Sequence, residues 1–395
     1  MKEVKDALKQ TADGSCTVAC YYFPNYHVDP RNERQHGPGW TEWELVKGAR
    51  PRFKGHDQPK EPLWGYEDES DPQVMARRID AAASHGIDAF IFDWYWYDDG
   101  PFLEGGLEQG FLEAPNNDRL KFAVMWANHD WLDIHPDKYG VKPQVLYPGK
   151  VTPATFDAMT DHLVERHFSH PSCWTIDGCP YFSFYDLTQM IATFGSVQAT
   201  RTGLGRFRDK VKAAGFPDLH LNAIVWGKTV LPREQVHPDT AALARQLRLD
   251  SVTSYVWIHH AKLTTFPRSS YSEVLERSAA YWEEAENTFS APYYPNVTMG
   301  WDSTPRTTQT DVHVNKGYPW TPIIVNNTPE AFENALRRAR DFLSNRPANQ
   351  QILTLNCWNE WTEGSYLEPD KRHGMAYLEA LKAVFGSKTR ALATD

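Results

Sequence analysis

Short runs of apolar, β-branched and aromatic residues alternate along this chain with longer stretches whose apolar positions recur at helical spacing. The runs predict strands over residues 17–23, 89–95, 122–126, 181–185, 220–226, 251–257, 296–301 and 352–358. The amphipathic stretches predict helices over 72–84, 153–167, 205–214, 241–249, 271–289, 329–343 and 374–384. Asp71-Pro72, Thr152-Pro153 and Thr328-Pro329 each set a capping side chain before a proline, which lacks an N–H that the first helical turn leaves unpaired anyway. Strands alternating with helices predict an α/β fold, and eight of them in one domain over 1–395 predict a (β/α)8 TIM barrel with long βα loops. An open doubly wound sheet would carry a glycine-rich phosphate turn after its first strand, and Tyr22-Phe23-Pro24-Asn25 is not one. No internal repeat, low-complexity stretch or Gly/Ser linker divides the chain. Residues 28–71 lack periodicity and read as a long loop walling an active site. Residues 1–14 are polar and read as a disordered N-terminus.

Composition narrows the partners. Hydrophobic residues make up 41% of the 395 and charged residues 23%, which permits a sizeable core. The net charge of −10 comes with no basic cluster, which excludes nucleic acid and an anionic membrane as main partners. No apolar run is long enough to span a bilayer. The first residues carry no apolar leader segment, so a cytoplasmic location is expected, an extracytoplasmic one requiring a leader already removed. The five cysteines leave the compartment open: Cys16 and Cys20 share a strand face, Cys173 and Cys179 bracket a hairpin, and free buried thiols are expected. The oligomeric state is not legible. The 15 tryptophans stand out, because many neighbour Asn, Asp, Glu or His. Sugars offer C–H faces that stack on such rings and hydroxyls that need such polar groups. An aromatic-rich core would give the same composition, so a glycan cleft and a packed core both stay open on this count.

The ends of the strands favour the cleft. Strand one closes on Tyr22, Asn25 and His27, strand two on Asp93 and Trp94, and strand three on Trp126, Asn128, His129 and Asp130. Later strands close on Trp226, on Tyr255 and Trp257, and on Trp301 and Asp302. The last runs through Asn356 and Trp358 to Glu360, Glu363 and Tyr366. A barrel brings such ends together on its C-terminal face, so all are expected to bind a carbohydrate substrate. Glu360 and Glu363 form the sharpest pair. Cleavage of a glycosidic bond needs one group to protonate the leaving oxygen and another to act as nucleophile or base. Gly364 permits a tight turn that would aim both into one cleft. Glu near a helix start is also common for dipole reasons, so the aromatic context carries the reading. A metal site built from Asp93, His129, Asp130, His259 and His260 would need ligand spacing that is missing, so no metal and no cofactor are expected. A serine nucleophile would need a Gly-x-Ser-x-Gly elbow, which is absent.

At Trp358-Asn359-Glu360-Trp361-Thr362-Glu363-Gly364 the chain resembles glycoside hydrolase family 99 and its wider family 99-like group, which includes O-antigen and polysaccharide glycosyltransferase-like proteins. Tyr21 to His27, Gly39-Trp40-Thr41-Glu42-Trp43, Pro51 to Pro59, Gly86 to Phe90, Trp126 to Trp131 and Ser365 to Pro369 continue the resemblance in order along nearly the whole chain. It implies a metal-independent, retaining, endo-acting enzyme on a (β/α)8 barrel. It also implies that Glu360 acts as base on the sugar 2-hydroxyl, through a 1,2-anhydro sugar, and Glu363 as general acid/base held protonated until it donates. Attack by O2 on C1 requires a 1,2-trans linkage, which admits α-mannosides, α-rhamnosides and β-glucosides but not α-glucosides. The Tyr-Phe-Pro-Asn-Tyr-His start and the long Trp40–Pro59 loop depart from family 99 proper, which leaves the sugar open. A glycosyltransferase or transglycosylase in surface-polysaccharide assembly is the competing expectation, although no Asp-x-Asp or basic diphosphate site is evident. A silent glycan-binding barrel would have no need of a paired acid and base.

Overall fold

The computed structural model describes residues 16–386; the expected N-terminal disorder over 1–14 lies outside the described residues. The barrel strands are β1 Thr17–Tyr22, β2 Ala89–Tyr97, β3 Lys121–Trp126, β4 Cys179–Phe184, β5 His220–Ile224, β6 Ser251–Thr253, β7 in two pieces, Tyr293–Tyr294 and Asn296–Thr298, and β8 Ile352–Asn356. Each pairs in parallel with its neighbours, and β8 pairs with β1. The two pieces of β7 reach β6 on one side and β8 on the other, so the parallel sheet closes as a TIM barrel. Pro295 divides β7 because it has no N–H for the ladder; its carbonyl still accepts from Thr354 N at 3.0 Å.

Among the described residues the longer helices around the barrel are α1 Pro72–Ser84, α2 Pro153–His162, α3 Val197–Ala213, α4 Thr240–Leu247, α5 Tyr271–Thr288, α6 Pro329–Leu343 and α7 Ala376–Phe385, with shorter helices at Pro30–His36, Trp43–Gly48 and Leu187–Phe194. Asp71, Thr152 and Thr328 cap α1, α2 and α6 as expected, each with proline in the first turn. Two departures have physical causes. Helix α3 begins at Ser196 rather than near 205, since Gly203 lies inside it: a Cβ there would meet the Phe194 ring at 2.4 Å. The connection from β2 to β3 is a π-helical turn, Gly106–Phe111, whose short apolar content gave no helical period.

The barrel interior is partly polar, and several of its groups bond to one another. Ser183 Oγ donates to Asn222 Oδ1 at 2.8 Å and Asn222 Nδ2 to Ser251 Oγ at 2.8 Å. Thr354 lies beside Thr253 and Asn296 in the next stretch. Cys20, Cys173, Cys179 and Cys357 are free thiols, and Thr175–Ile176 makes the 173–179 hairpin against β4 without a disulfide. Among the described residues, no helix is long and apolar enough to cross a membrane.

Candidate active site

The C-terminal ends of the strands surround a cleft of about 690 Å³. Its floor is charged. Glu360 ends a two-residue bridge, Asn359–Glu360 with Ser365–Tyr366, and Glu363 closes the 3-10 turn Trp361–Glu363 between them. Gly364 stands at φ +63°, and a Cβ on it would lie 2.7 Å from Asp302 Cβ, so this turn requires glycine. The turn aims both glutamates into the cleft, where each feels the other's charge.

One cation serves them. Arg306, in a short turn after β7, donates from Nη1 to Glu363 Oε1 at 2.5 Å and from Nη2 to Glu360 Oε1 at 3.4 Å. Its Nε donates to Glu42 Oε1 at 2.8 Å, and its guanidinium also meets the Tyr318 hydroxyl. Tyr318 in turn donates to Glu363 Oε1 at 2.6 Å. Glu42 comes from the long 28–71 segment, accepts from Asn25 at 2.6 Å and Thr362 at 2.5 Å, and ties that segment to the floor. Burial alone would raise Glu42, but Arg306 and these hydrogen bonds hold it below the ordinary carboxyl value.

The other carboxyls are shifted the opposite way. Burial raises Glu360 well above the ordinary value, with Glu363 adding repulsion and Arg306 only partly offsetting it. Glu363 is raised by burial too, but less, since Arg306 and Tyr318 both sit on it. Asp93 is raised well above its ordinary value by burial, with the Tyr255 hydrogen bond opposing. Burial thus lifts Glu360 further than Glu363.

The wall is aromatic and apolar: Phe23, Tyr95, Trp131, Tyr185 and Trp301 stand with Leu132, Ile134, Val230 and Leu231. Of the residues singled out from sequence, Asp93, His129, Asp130, Tyr255, Trp301, Glu360 and Glu363 line this cleft. Asn25 acts one layer behind it, through Glu42.

The others lie elsewhere. Trp94 and Trp126 alternate outward from Asp93 and Met125, meeting His162 and Phe156 of the helical layer. Asn128 clasps the Asp186 backbone at 2.7 and 2.8 Å. Tyr22 and His27 bond to buried Glu69 at 2.9 and 3.0 Å. Trp226 packs behind Tyr185 and His259. Trp257 donates to Asn296 O at 2.8 Å, and Trp358 packs on Phe90. Asn356, two residues after Thr354, is buried below the floor. Asp302 accepts from Gln58 and bonds to His56, both at 2.8 Å, and Tyr366 stacks on Trp361; both face a second recess beside the cleft.

Sequence reasoning missed Arg306, Tyr318, Tyr95, His135 and the role of Glu42. Tyr95 was legible as the inward neighbour, two positions on, of Asp93. Glu42 was legible as an acid between Trp40 and Trp43. Arg306 and Tyr318 carried no local signal, because neither follows its strand directly.

His129 and His259 both line the cleft, whereas His260 turns away to Ser254 and Tyr281. Burial pushes His259 down to about 3. Among the described residues, the histidine–carboxylate group with metal-like spacing is Glu108, His162 and His167, in the helical layer, and Glu108 is already engaged by His167 and Arg166.

The fold has known counterparts. The family 99 endo-α-mannosidase of Bacteroides thetaiotaomicron, solved in complex with BIS-TRIS-propane, superposes with a TM-score of 0.55 at 13% identity, over 93% of this chain and 95% of that one. A glycoside hydrolase-like protein superposes with a TM-score of 0.58 at 15% identity, over 94% of each chain. In sequence, protein WxcX of Xanthomonas campestris pv. campestris is 26% identical over 373 residues, or 93% of this chain and 49% of the relative. A second strain's WxcX is 27% identical over 372 residues. The chain thus spans about half the length of the curated relatives it matches. Residues 18–381 match the family described as Glycosyltransferase WbsX, and the chain belongs to that family.

Proposed function

We propose that the chain is a retaining, metal-independent glycoside hydrolase acting on a 1,2-trans-linked polysaccharide or glycoconjugate. The observation that carries this is the pair Glu360 and Glu363, both buried and sharing Arg306 on the floor of an aromatic-walled cleft. An inverting pair needs about 6.5–9.5 Å between carboxyls to seat a water. A retaining pair stands closer, about 5–5.5 Å apart, and two carboxyls drawn to one guanidinium support that course. Glu360 takes the proton of the sugar 2-hydroxyl, and O2 closes on C1 as the bond to the leaving oxygen breaks. Glu363 protonates that oxygen, then removes a proton from the incoming water as the anhydro ring reopens and Glu360 returns its proton to O2. Arg306 stabilises the single negative charge whichever glutamate bears it.

The family description favours a second reading, glycosyl transfer in polysaccharide assembly. A sugar hydroxyl would then replace water in the second step, with the same two glutamates. Product analysis separates the readings. Wild-type protein incubated with α-mannans, α-rhamnans and β-linked glycans should release reducing ends, with fragment sizes reporting linkage and mode. Longer chains in place of new reducing ends, or consumption of an activated donor sugar, would favour transfer.

A further inference from the structure

Asp93, Tyr255 and Glu360 form one hydrogen-bonded chain whose hydrogens can be counted. Tyr255 Oη lies 2.8 Å from Asp93 Oδ2 and 2.8 Å from Glu360 Oε2. Two links need two hydrogens, and the phenol supplies one. One of the two carboxyls is therefore protonated. A negative charge is most stable against Arg306, which reaches Glu363 and Glu360. Asp93 stands at the far end. Its Oδ2 has Tyr255, while its Oδ1 is buried with no hydrogen-bond partner. An ionised carboxylate there would be desolvated with one donor, a costlier state than a neutral acid.

We propose that Asp93 is a standing neutral acid that donates to Tyr255, and so compels the Tyr255 hydroxyl to donate to Glu360. With the proton on Asp93, Glu360 is left an anion, receiving Tyr255 and Arg306. Asp93 is thus a positioning residue, acting through Tyr255.

The surroundings agree with this arrangement. Asp93 is faced by Glu363 and Arg306 across the cleft, by Tyr95 on its own strand, and by Cys20 and Tyr21 of β1. Cys357 of β8 and Tyr26 face Glu360, and Tyr185 of β4 abuts Tyr255. Burial holds these phenols and thiols protonated well past neutrality, leaving Arg306 as the cation of the group.

The catalytic consequence rests on the proposed hydrolase reading; the protonation state of Asp93 does not. It is read without substrate by labelling the aspartate γ-carbons with ¹³C and following their NMR shifts with pH. One aspartate should keep the shift of a protonated acid at pH 7, and that resonance should vanish in Asp93→Asn. If every aspartate is ionised at pH 7, the proposal fails whatever the enzyme does. Where turnover is measurable, Asp93→Leu and Tyr255→Phe should each lower kcat by about tenfold or more with KM little changed. Asp93→Asn, whose amide can donate as the neutral acid does, should recover most of what Asp93→Leu loses. Equal losses in Asp93→Asn and Asp93→Leu would mean that a carboxylate is needed, and would overturn the assignment.

Discussion

Two buried clusters of acids lie on either side of β1 and β8, and they are built differently from the same ingredients. Outside the barrel, Glu69 and Glu368 share Arg78. Glu69 accepts from Tyr22 at 2.9 Å, from Tyr26 N at 2.6 Å and from Asn359 at 3.3 Å, and it bonds to His27. Glu368 meets Arg78 Nε at 2.7 Å and Trp361 Nε1 at 2.8 Å. Donors are plentiful there, and every contact is a backbone or packing residue that fixes the loops. At the cleft, Glu42, Glu360 and Glu363 share Arg306, while Asp93 beyond them has Tyr255 alone. In the second cluster burial raises Asp93, Glu360 and Glu363 above the ordinary carboxyl value. A buried carboxylate saturated with donors holds structure; one short of donors holds a proton it can give away.

Substitution should separate the clusters by readout. Glu363→Gln should lower turnover of an unactivated glycoside by about 10³-fold, within the range for loss of a general acid, with the melting temperature unchanged or higher. A cleft carboxyl of structural importance would show the reverse. Arg78→Met should do the opposite, leaving Glu69 and Glu368 buried against each other and costing about 3–5 kcal/mol in denaturant unfolding. A loss below about 1 kcal/mol there would mean the outer cluster is not held by its cation.

The contrast also explains what the sequence could disclose. Barrel strands announce themselves because residues such as Ala89 to Phe92 are buried on both faces and read as continuous apolar runs. Glu360 and Glu363 were legible because one rigid turn, closed by Gly364, holds both. Tyr22, His27 and Trp358 sit at strand ends too, yet belong to the outer packing, because a strand end presents two faces and the alternation must be followed residue by residue. Arg306 and Tyr318 were not legible, since their places depend on the path of the loops after β7. Asp302 and Tyr366 were assigned to the cleft from the same local signal and instead border the neighbouring recess.

Smaller effects sharpen the picture. Tyr318→Phe removes one donor from Glu363, which raises that carboxyl further. Turnover should fall by about tenfold, and the alkaline limb of its pH profile should move to higher pH. A limb moving to lower pH would contradict the hydrogen-bond assignment. Burial pushes His135 and His259 down to about 3, against an ordinary 6.5. The unfolded chain therefore binds protons that the folded one refuses, so their contribution is whole above pH 6.5 and is lost as pH falls towards 3. Denaturant midpoints should decline across that window, and a flat profile would show the two imidazoles to be solvated. Smallest of all, EDTA should leave activity unchanged; a loss restored by a divalent ion would place a metal in the reaction.

The most direct test uses a glycan that the wild-type protein cleaves, comparing it with Glu363→Gln for both reducing-end release and calorimetric binding. Retained affinity with turnover reduced by about 10³-fold would place the proton-holding cluster at the centre of the chemistry. Near wild-type turnover in Glu363→Gln would show that these carboxyls do not carry the reaction.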